Sequence, residues 1–334
     1  MHGSTLLVTG GAGFVGSHFV HMAAEAGREV IVLDDLSGGE PALLPSSVRL
    51  IVGDIGERAY LTRLLRDNHV GAIVHFAGKI QVGESVRDPA GYFDVNLVRT
   101  LELLHAVRDA EVGVCVFSST AAVYGEPEVV PIPELARREP VNAYGATKLC
   151  VELALAAWGE AYGLRWAALR YFNAAGARPD GTLRESHAPE THLIPLALDA
   201  GLGTAPALNV FGTDYPTPDG TCVRDYIHVQ DLASAHLAAL AKLEAGQQLG
   251  AMNLGTGHGY SVREVLDAAG HVLGRPVPHS TVARRAGDPP QLVADPTRAM
   301  NVLGWQPRRS TLELIVEDAL RPRIGVARAR SKIA

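Results

Sequence analysis

The sequence predicts an α/β fold, with a doubly wound parallel sheet followed by a smaller, loop-rich C-terminal domain. Short apolar runs alternate with helical patterns through the first half, and a glycine-rich turn joins the first run to the first helix. Beyond residue 173 proline and glycine multiply, and 334 residues are enough for two cores. We therefore expect one domain in residues 1–173 and another in 174–334, with the segment near 225–242 able to pack back on the first.

Composition and charge narrow the classes of function. The net charge of −6 is mild, which argues against nucleic acid or an anionic membrane as a partner. No apolar run approaches the roughly 20 residues that span a bilayer, and no signal peptide precedes the first predicted strand. The three cysteines lack CxxC spacing, which indicates a reducing compartment and no metal site. We expect a cytoplasmic protein.

The chain opens with the pattern of strand, glycine turn and helix. Leu6–Thr9 is an apolar run, and the helical pattern covers Ser17–Gly27. Between them, Gly10 permits a tight turn, Gly13 lets the backbone approach a pyrophosphate, and Gly16 permits close helix packing. The amino end of the helix would then face the phosphates. This is the start of a Rossmann-type dinucleotide-binding unit; a plain glycine turn is the alternative.

Two acidic residues, Asp34 and Asp35, end the second predicted strand, Val30–Leu33. An acid about 20 residues after the glycines suits the ribose hydroxyls of the cofactor and repels a 2′-phosphate. The sequence thus favours NAD over NADP. A helix cap is the alternative for the first acid.

Three further apolar runs complete a five-stranded pattern: 48–52, 72–75 and 112–117. Asp54 follows the third strand and either meets the adenine edge or caps a helix that begins near Glu57. His75 lies inside an apolar run, which favours a core histidine over a catalytic one. Phe76, Ala77 and Gly78 form a turn beneath the predicted cofactor.

Tyr144 and Lys148 lie four residues apart at the start of a helical pattern, so they share one helix face. A phenol has a reference pKa of about 10, and a neighbouring ammonium favours the phenolate. The pair can therefore transfer protons near neutral pH. The alternative is an ordinary surface pair on a helix.

Two helical stretches, about 89–109 and 143–162, flank the fifth predicted strand. The second offers apolar side chains at helical spacing, namely Leu149, Leu153, Leu155, Ala156 and Trp158. This apolar surface suits a homodimer that pairs two helices from each subunit in a four-helix bundle. Core packing within one subunit is the alternative.

Several motifs resemble those of the extended short-chain dehydrogenase/reductases, and most closely the UDP-glucose 4-epimerases. The matching stretches are 9–16 (TGGAGFVG), 75–78 (HFAG), 82–85 (VGES), 118–125 (SSTAAVYG), 144–148 (YxxxK), 169–173 (LRYFN), 211–217 (FGxDYPT), 219–229 (DGTCVRDYIHV), 253–255 (NLG) and 284–288 (RRAGD). They extend over nearly the whole chain. The stretches 118–125 and 224–229 are far more specific than the glycine motif.

The resemblance implies interconversion of UDP-glucose and UDP-galactose through a transient 4-keto sugar, with NAD retained. It assigns catalysis to Thr120, Tyr144 and Lys148. It assigns cofactor binding to Gly10, Gly13, Phe14, Val15, Asp34, Asp35, Asp54, Ile55, Phe76, Ala77, Gly78, Asn96, Ser118, Tyr144, Lys148, Tyr171 and Phe172. It assigns UDP-sugar binding to Thr120, Tyr144, Asn173, His192, Leu193, Phe211, Arg224, Tyr226, Arg285, Asp288 and Leu292.

Arginine forks suit phosphate oxygens, and the resemblance gives Arg224 and Arg285 the role of clamping the diphosphate. A surface salt bridge is the alternative for either. His192 departs from the asparagine that many epimerases carry there, and we assign it no catalytic role. Leu292 matches a position that borders the sugar pocket, where a smaller residue than tyrosine admits N-acetyl sugars; simple packing is the alternative.

Nucleotide-sugar dehydratases carry an Asp-Glu pair where this chain has Ala121 and Ala122, so elimination of water has no evident proton donor here. Three hypotheses remain open. The chain is a 4-epimerase, or another nucleotide-sugar enzyme such as a UDP-N-acetylglucosamine 4-epimerase, a decarboxylase or a reductase, or a non-catalytic NAD-sensing protein. The last would be expected to lose Thr120, Tyr144 or Lys148.

Overall fold

The computed structural model describes residues 5–185, 189–285 and 288–330, with side chains described to residue 324. Its strands are β1 (Thr5–Thr9), β2 (Val30–Asp34), β3 (Arg49–Val52), β4 (Val70–His75), β5 (Val114–Thr120), β6 (Arg165–Tyr171), β7 (Asn173–Ala175), β8 (Leu208–Phe211), β9 (Val223–Arg224), β10 (Tyr226–His228), β11 (Gly250–Leu254), β12 (Tyr260–Ser261), β13 (His279–Val282) and β14 (Gln291–Leu292). Its α-helices are α1 (Phe14–Glu25), α2 (Arg58–Asp67), α3 (Val82–Arg87), α4 (Pro89–Phe93), α5 (Arg99–Asp109), α6 (Ala143–Tyr162), α7 (Leu193–Leu202), α8 (Val229–Glu244), α9 (Val262–Leu273), α10 (Thr297–Leu303) and α11 (Leu312–Arg330).

Seven parallel strands form the central sheet in the order β11-β6-β5-β4-β1-β2-β3. Because the order reverses at β1, the carboxyl ends of β1 and β4 border a crevice, which is where doubly wound sheets bind dinucleotides. The predicted Rossmann-type fold is confirmed.

Each face of the sheet is covered by helices, since alternate residues of a strand point to opposite faces. Leu6 packs in one cluster with Phe19 of α1 and Leu240 of α8. Its neighbour Leu7 packs in the other cluster, with side chains from α2, α5 and α6 that include Leu155. Buried on both faces, β1 reads as a continuous apolar run.

A separate apolar cluster fills the C-terminal part of the chain, with contributions from α7, α9, α11 and β8. Three later elements return to the first core instead. α8 packs along α1, β11 extends the central sheet, and Leu303 of α10 joins the same cluster as Leu6. The domain boundary at residue 173 stays a prediction, and this returning segment is longer than the predicted 225–242.

The predicted helix at 89–109 contains one wide turn. α4 and α5 are joined by a π-helical turn over Asp94–Val98, and single π turns occur often at functional sites. None of the helices in the described ranges combines the length and apolar character that a membrane crossing requires.

Candidate active site

Tyr144 lies in the first turn of α6, at the point where this helix meets the end of β5. The Asn142 side chain caps α6 by accepting a hydrogen bond of 2.8 Å from the Gly145 amide. A Cβ at Gly145 would lie 2.5 Å from the Ala122 carbonyl oxygen, so only glycine permits this approach. The Tyr144 hydroxyl consequently reaches the hydroxyl of Thr120 and hydrogen-bonds it.

Lys148 lies one turn further along α6 and is almost fully buried, at 3% exposure. Its Nζ donates a 3.0 Å hydrogen bond to the Ser118 carbonyl and lies 4.8 Å from the centre of the Phe117 ring. The distance from Nζ to the centre of the Tyr144 ring is 6.0 Å. β5 and α6 therefore bring Thr120, Tyr144 and Lys148 together.

Burial changes the pKa of both Lys148 and Tyr144. It lowers the pKa of Lys148 to about 8, so the ammonium form still predominates at pH 7. Burial also raises the pKa of Tyr144, which the hydrogen bond with Thr120 only partly opposes. The sequence argument expected the pKa of Tyr144 to be lowered by Lys148; in the protein chain alone, desolvation of the phenolate is the larger effect.

The loop after β4 is held against α6 by Asn96, which the π turn carries into the interior. The Asn96 side chain accepts a 2.8 Å hydrogen bond from the amide of Lys79 and donates a 2.9 Å bond to its carbonyl. It also donates to the Thr147 hydroxyl at 3.3 Å. A Cβ at Gly78 would lie 2.9 Å from Asn96 Oδ1 and 3.6 Å from Lys148 Nζ.

The glycine turn after β1 forms a tight cradle. Gly10 has a φ of +69°, and a Cβ there would lie 2.4 Å from the Ala77 amide nitrogen. A Cβ at Gly16 would lie 2.2 Å from the Gly10 carbonyl oxygen. At Gly13 the nearest atom would be 3.4 Å away, so this position leaves space at the amino end of α1. Phe14 and Val15 open that helix, and Val15 packs on the first core.

Asp34 ends β2 beside this cradle, and its buried carboxylate accepts 2.9 Å hydrogen bonds from the Ala12 and Leu36 amides. Burial raises the pKa of Asp34, and the two amides oppose that rise. The Asp35 carboxylate instead accepts hydrogen bonds from the amide and hydroxyl of Ser37 in its own turn. Asp34 is thus the acid that borders the crevice.

Asp54 does not cap the next helix, because Glu57 occupies that position at the start of α2. The Asp54 carboxylate accepts a 2.7 Å bond from the Gly56 amide and pairs with Arg99. Ile55 is buried in the core cluster beneath β2. His75 is also a core residue, bonded to Thr9 at 2.6 Å, and burial lowers its pKa to about 3.

Tyr171 ends β6 and hydrogen-bonds the Ser118 side chain. Its hydroxyl also contacts His236 Nε2. The Nδ1 of His236 donates to the Leu232 carbonyl at 2.8 Å, so Nε2 is the acceptor and Tyr171 the donor. The Phe76 ring lies 4.8 Å from the imidazole, between centres. Tyr171 belongs to the first core cluster and Phe76 packs against it, so these rings pack together there.

Most of the residues predicted to bind the UDP-sugar form a second group, in the C-terminal part of the chain. Arg224 and Asp288 form an ion pair, and their side chains are 11% and 28% exposed. The Arg285 guanidinium lies 3.8 Å from the centre of the Phe211 ring. Arg285 and Asp288 line an open cleft of about 660 Å³. Ala286 and Gly287, which complete the 284–288 motif, lie outside the described residues.

Leu292 lies between the group around Thr120 and the group around Arg224. It pairs with Arg224 in the register of β14 and β9, and its side chain packs on the cluster that contains Ala121 and Tyr124. Phe172 packs on the same cluster. Ala121 directly follows Thr120, and Gln291, which directly precedes Leu292, lines the cleft, so Leu292 lies between the two groups.

Asn173, Tyr226 and Leu193 are more enclosed. The Asn173 side chain donates to the Asp225 carbonyl at 2.8 Å, Tyr226 is buried in the second core, and Leu193 begins α7 against that core. Tyr226 is close enough to Arg224 and Asp288 to interact electrostatically with both.

His192 precedes α7 and contacts two carboxylates, Glu185 and Glu190, each 2.8 Å from Nδ1. These two partners raise the pKa of His192 to about 10, against the effect of burial. The three residues are of metal-ligand type and lie close together. A metal needs a neutral imidazole, however, whereas this arrangement favours the protonated ring.

Sequence reasoning missed two structural residues of the site. Gly145 could have been found as the small residue directly after Tyr144. Asp225 lies inside a quoted motif, but its carboxylate had no assigned role; it accepts bonds from the Thr256, Gly257 and Ala294 amides. It thereby fixes the loop after β11 against the strand that carries Leu292.

The cradle, the acid at the end of β2 and the buried lysine fit a bound NAD. Comparison with known proteins agrees with this geometry. The model of the NAD dependent epimerase/dehydratase family matches residues 6–255.

The chain belongs to the NAD dependent epimerase/dehydratase family. It is 50% identical over 315 residues to the UDP-glucose 4-epimerase of Azospirillum brasilense, covering 94% of this chain and 90% of that relative. The crystal structure of the Brucella ovis UDP-glucose 4-epimerase with NAD superposes with a TM-score of 0.93 at 46% identity, over 97% and 99% of the two chains. The Bifidobacterium longum enzyme, solved with NAD⁺ and UDP, gives 0.90 at 37% identity, over 96% and 98%. The resemblance stated from the motifs is confirmed.

Proposed function

We propose that this protein interconverts UDP-glucose and UDP-galactose through a 4-keto sugar, with NAD as a retained cofactor. The observation that carries the proposal is the convergence of Thr120, Tyr144 and Lys148 at the carboxyl edge of the sheet, beside the glycine cradle. The family membership and the 50% identity to a UDP-glucose 4-epimerase support the same activity.

Tyr144 takes the proton from the sugar 4-hydroxyl, and the Thr120 hydroxyl hydrogen-bonds the same oxygen and relays the proton. Lys148 supplies positive charge that favours the phenolate and holds the nicotinamide ribose. When bound, oxidised NAD supplies the hydride acceptor for C4 and the positive charge of its ring. That charge, in addition to Lys148, would lower the pKa of Tyr144 and so oppose the effect of desolvation.

Arg224 and Arg285 hold the diphosphate while the keto sugar turns, so that the hydride can return to the opposite face of C4. Asp288 holds the uridine ribose, with Phe211 and Tyr226 beside the nucleotide. Ala121 and Ala122 replace the acid–base pair of a dehydratase, which leaves epimerisation as the outcome.

Purified protein incubated with UDP-galactose and no added NAD should form UDP-glucose without a stoichiometric co-product. Denatured protein should release NAD(H), not NADP(H), because Asp34 disfavours a 2′-phosphate. Release of carbon dioxide or net reduction of the cofactor would instead identify another nucleotide-sugar enzyme. Absence of any turnover by NAD-loaded protein would leave only a binding role.

We further propose a homodimer in which each subunit contributes α6 and the neighbouring α4–α5 segment to a four-helix bundle. Three apolar side chains on these helices are exposed in the single chain: Phe93 at 38%, Val98 at 51% and Leu153 at 54%. Leu155 and Trp158, which the sequence analysis grouped with Leu153, pack in the chain's own core.

We also propose a cytoplasmic location. Cys115, Cys150 and Cys222 are free thiols, which suits a reducing compartment.

A further inference from the structure

Five buried polar side chains form a continuous hydrogen-bonded chain behind the catalytic residues. This buried polar chain consists of Ser119, Glu152, Arg170, Tyr124 and Asn253, each 2% exposed or less. They come from β5, α6, β6, the turn after β5 and β11, so the chain crosses elements that are distant in sequence.

One end of the buried polar chain fixes α6 against β5. Ser119 donates a 2.5 Å hydrogen bond to Glu152 Oε1. Ser119 lies between Ser118, whose carbonyl accepts the bond from Lys148, and Thr120. Glu152 lies four residues after Lys148 on the same helix face. The Ser119–Glu152 bond therefore sets the register between Lys148 and Thr120.

The middle of the chain is a buried ion pair. Arg170 Nε and Nη2 donate to the two oxygens of Glu152 at 2.9 and 2.6 Å, and Nη1 donates to the Tyr124 hydroxyl at 2.7 Å. Taking both charges out of water is costly, and well-packed apolar residues often match or exceed the stability of such a pair. A gain in stability is thus a weak reason for the presence of this ion pair. The fixed geometry of an arginine bonded to both oxygens of a carboxylate is a stronger reason.

The other end reaches the strand that carries Leu292. Tyr124 donates to Asn253 Oδ1 at 2.6 Å, and Asn253 Nδ2 donates to the Ile132 carbonyl at 2.8 Å. The Ile132 amide donates to the Val293 carbonyl at 2.8 Å. Val293 directly follows Leu292, so the chain ends beside the residue that the resemblance places at the sugar pocket.

We propose that the buried polar chain is a positioning device that holds Lys148 and Thr120 in register with the Leu292 side of the substrate cleft. The proposal rests on the proposed epimerase function and adds residues that do not touch the substrate. Reacting groups must be held closely in place, since a displacement of about 1 Å can reduce the rate 100-fold. A sugar that turns over between two hydride transfers needs the catalytic side and the pocket wall in fixed relation.

Ser119→Ala tests the catalytic end, because it removes one hydroxyl and leaves the ion pair intact. We expect kcat to fall by about tenfold or more. We also expect the acidic limb of the pH–rate profile to move, because Thr120, whose hydrogen bond opposes the rise in the pKa of Tyr144, shifts relative to that residue. KM and the NAD content should stay close to those of the parent.

Ser310→Ala is the matched control. Ser310 is also buried and donates a 2.6 Å hydrogen bond to a carboxylate, that of Asp231, but it lies away from the catalytic residues. Ser310→Ala also removes the acceptor of a 2.9 Å bond from the His228 amide, so it should lose at least as much thermal stability as Ser119→Ala. Only Ser119→Ala should change kcat and the pH profile.

Tyr124→Phe tests the link to the pocket wall, and we expect it mainly to raise KM for UDP-galactose. In the double variant with Ser119→Ala, the loss of kcat/KM should be smaller than the product of the single losses, because both break one coupled unit. Parental kcat and pH profile in Ser119→Ala, with multiplicative effects in the double variant, would overturn the proposal. Failure of the parent to turn over UDP-galactose would instead overturn the proposed function.

Discussion

Tyr144 is placed by three small features of its neighbours. Asn142 caps the helix, Gly145 lets its first turn approach Ala122, and Thr120 meets the phenol from the end of β5. In the proposed mechanism, the hydroxyl is the part of the side chain that transfers the proton. Its ring serves packing, and the Tyr92 ring lies edge-on to it with centres 6.5 Å apart.

Tyr144→Phe should reduce turnover by orders of magnitude while folding and NAD content stay nearly parental, because only the proton-transfer group is removed. The measurement is kcat for UDP-galactose together with the cofactor released on denaturation. A variant within tenfold of the parental kcat would show that another group carries the proton.

Leu292 should control substrate size, since it lies between the Arg224 strand and Ala121. We expect UDP-glucose and UDP-galactose as main substrates, with N-acetylated UDP-sugars accepted weakly. Leu292→Tyr should suppress the N-acetyl activity, and Leu292→Ala should raise it. Steric overlap of this size changes rates by roughly 10–200-fold. The test compares kcat/KM for both substrate pairs in the three proteins; a constant ratio would place the pocket wall elsewhere.

At the scale of elements, α6 was predicted from its apolar spacing, and the structure gives the same bounds, Ala143–Tyr162. The π turn at Asp94–Val98 could not be predicted, because a single wide turn of five residues is too short to show a period of its own in the sequence. β11 was missed for another reason. Its five residues follow a long helix, and although residues 253–255 form one of the matching motifs, only the tertiary fold places this segment beside β6.

The candidate site also contains residues that the sequence could predict and residues that it could not. Tyr144, Lys148 and the glycines could be predicted because a short spacing carries their chemistry. The partners of Glu152 could not, since Ser119 and Arg170 come from two other elements. A local pattern holds no information on which distant residue satisfies a buried charge.

Leu153→Glu should convert the proposed dimer to monomers, because it places a charge in the apolar face of α6. Val52→Glu is the control at an exposed apolar position of β3, where the side chain is 64% exposed compared with 54% for Leu153. Sedimentation velocity measures both masses. A parental mass for Leu153→Glu would exclude this face as the interface.

At the scale of the whole molecule, acid should destabilise the fold through its buried histidines. Burial lowers the pKa of His18 and His236 to about 4 and that of His75 to about 3. Unfolding returns each to about 6.5, so the unfolded chain binds more protons between pH 6.5 and 4. Stability that is present above pH 6.5 is therefore lost as the pH falls.

Near pH 5, uptake of nearly three protons corresponds to a loss of roughly 3–4 kcal/mol per pH unit in the free energy of unfolding. Asp34 and Asp225 offset part of this slope, because burial raises the pKa of each. Urea unfolding followed by tryptophan fluorescence at pH 7, 6 and 5 measures the slope. A free energy of unfolding that stays constant over this range would contradict the assignment of neutral buried imidazoles.

In the proposed function, the Arg224–Asp288 ion pair makes recognition of the nucleotide an exchange of partners. The diphosphate would draw the guanidinium, and the ribose the carboxylate, away from the other member of the pair. A ligand that carries only one of these groups, such as pyrophosphate or uridine, would compensate only one of the two charged side chains. A uridine diphosphate would compensate both. Fragments of the substrate should therefore bind more weakly than the loss of their own contacts alone predicts.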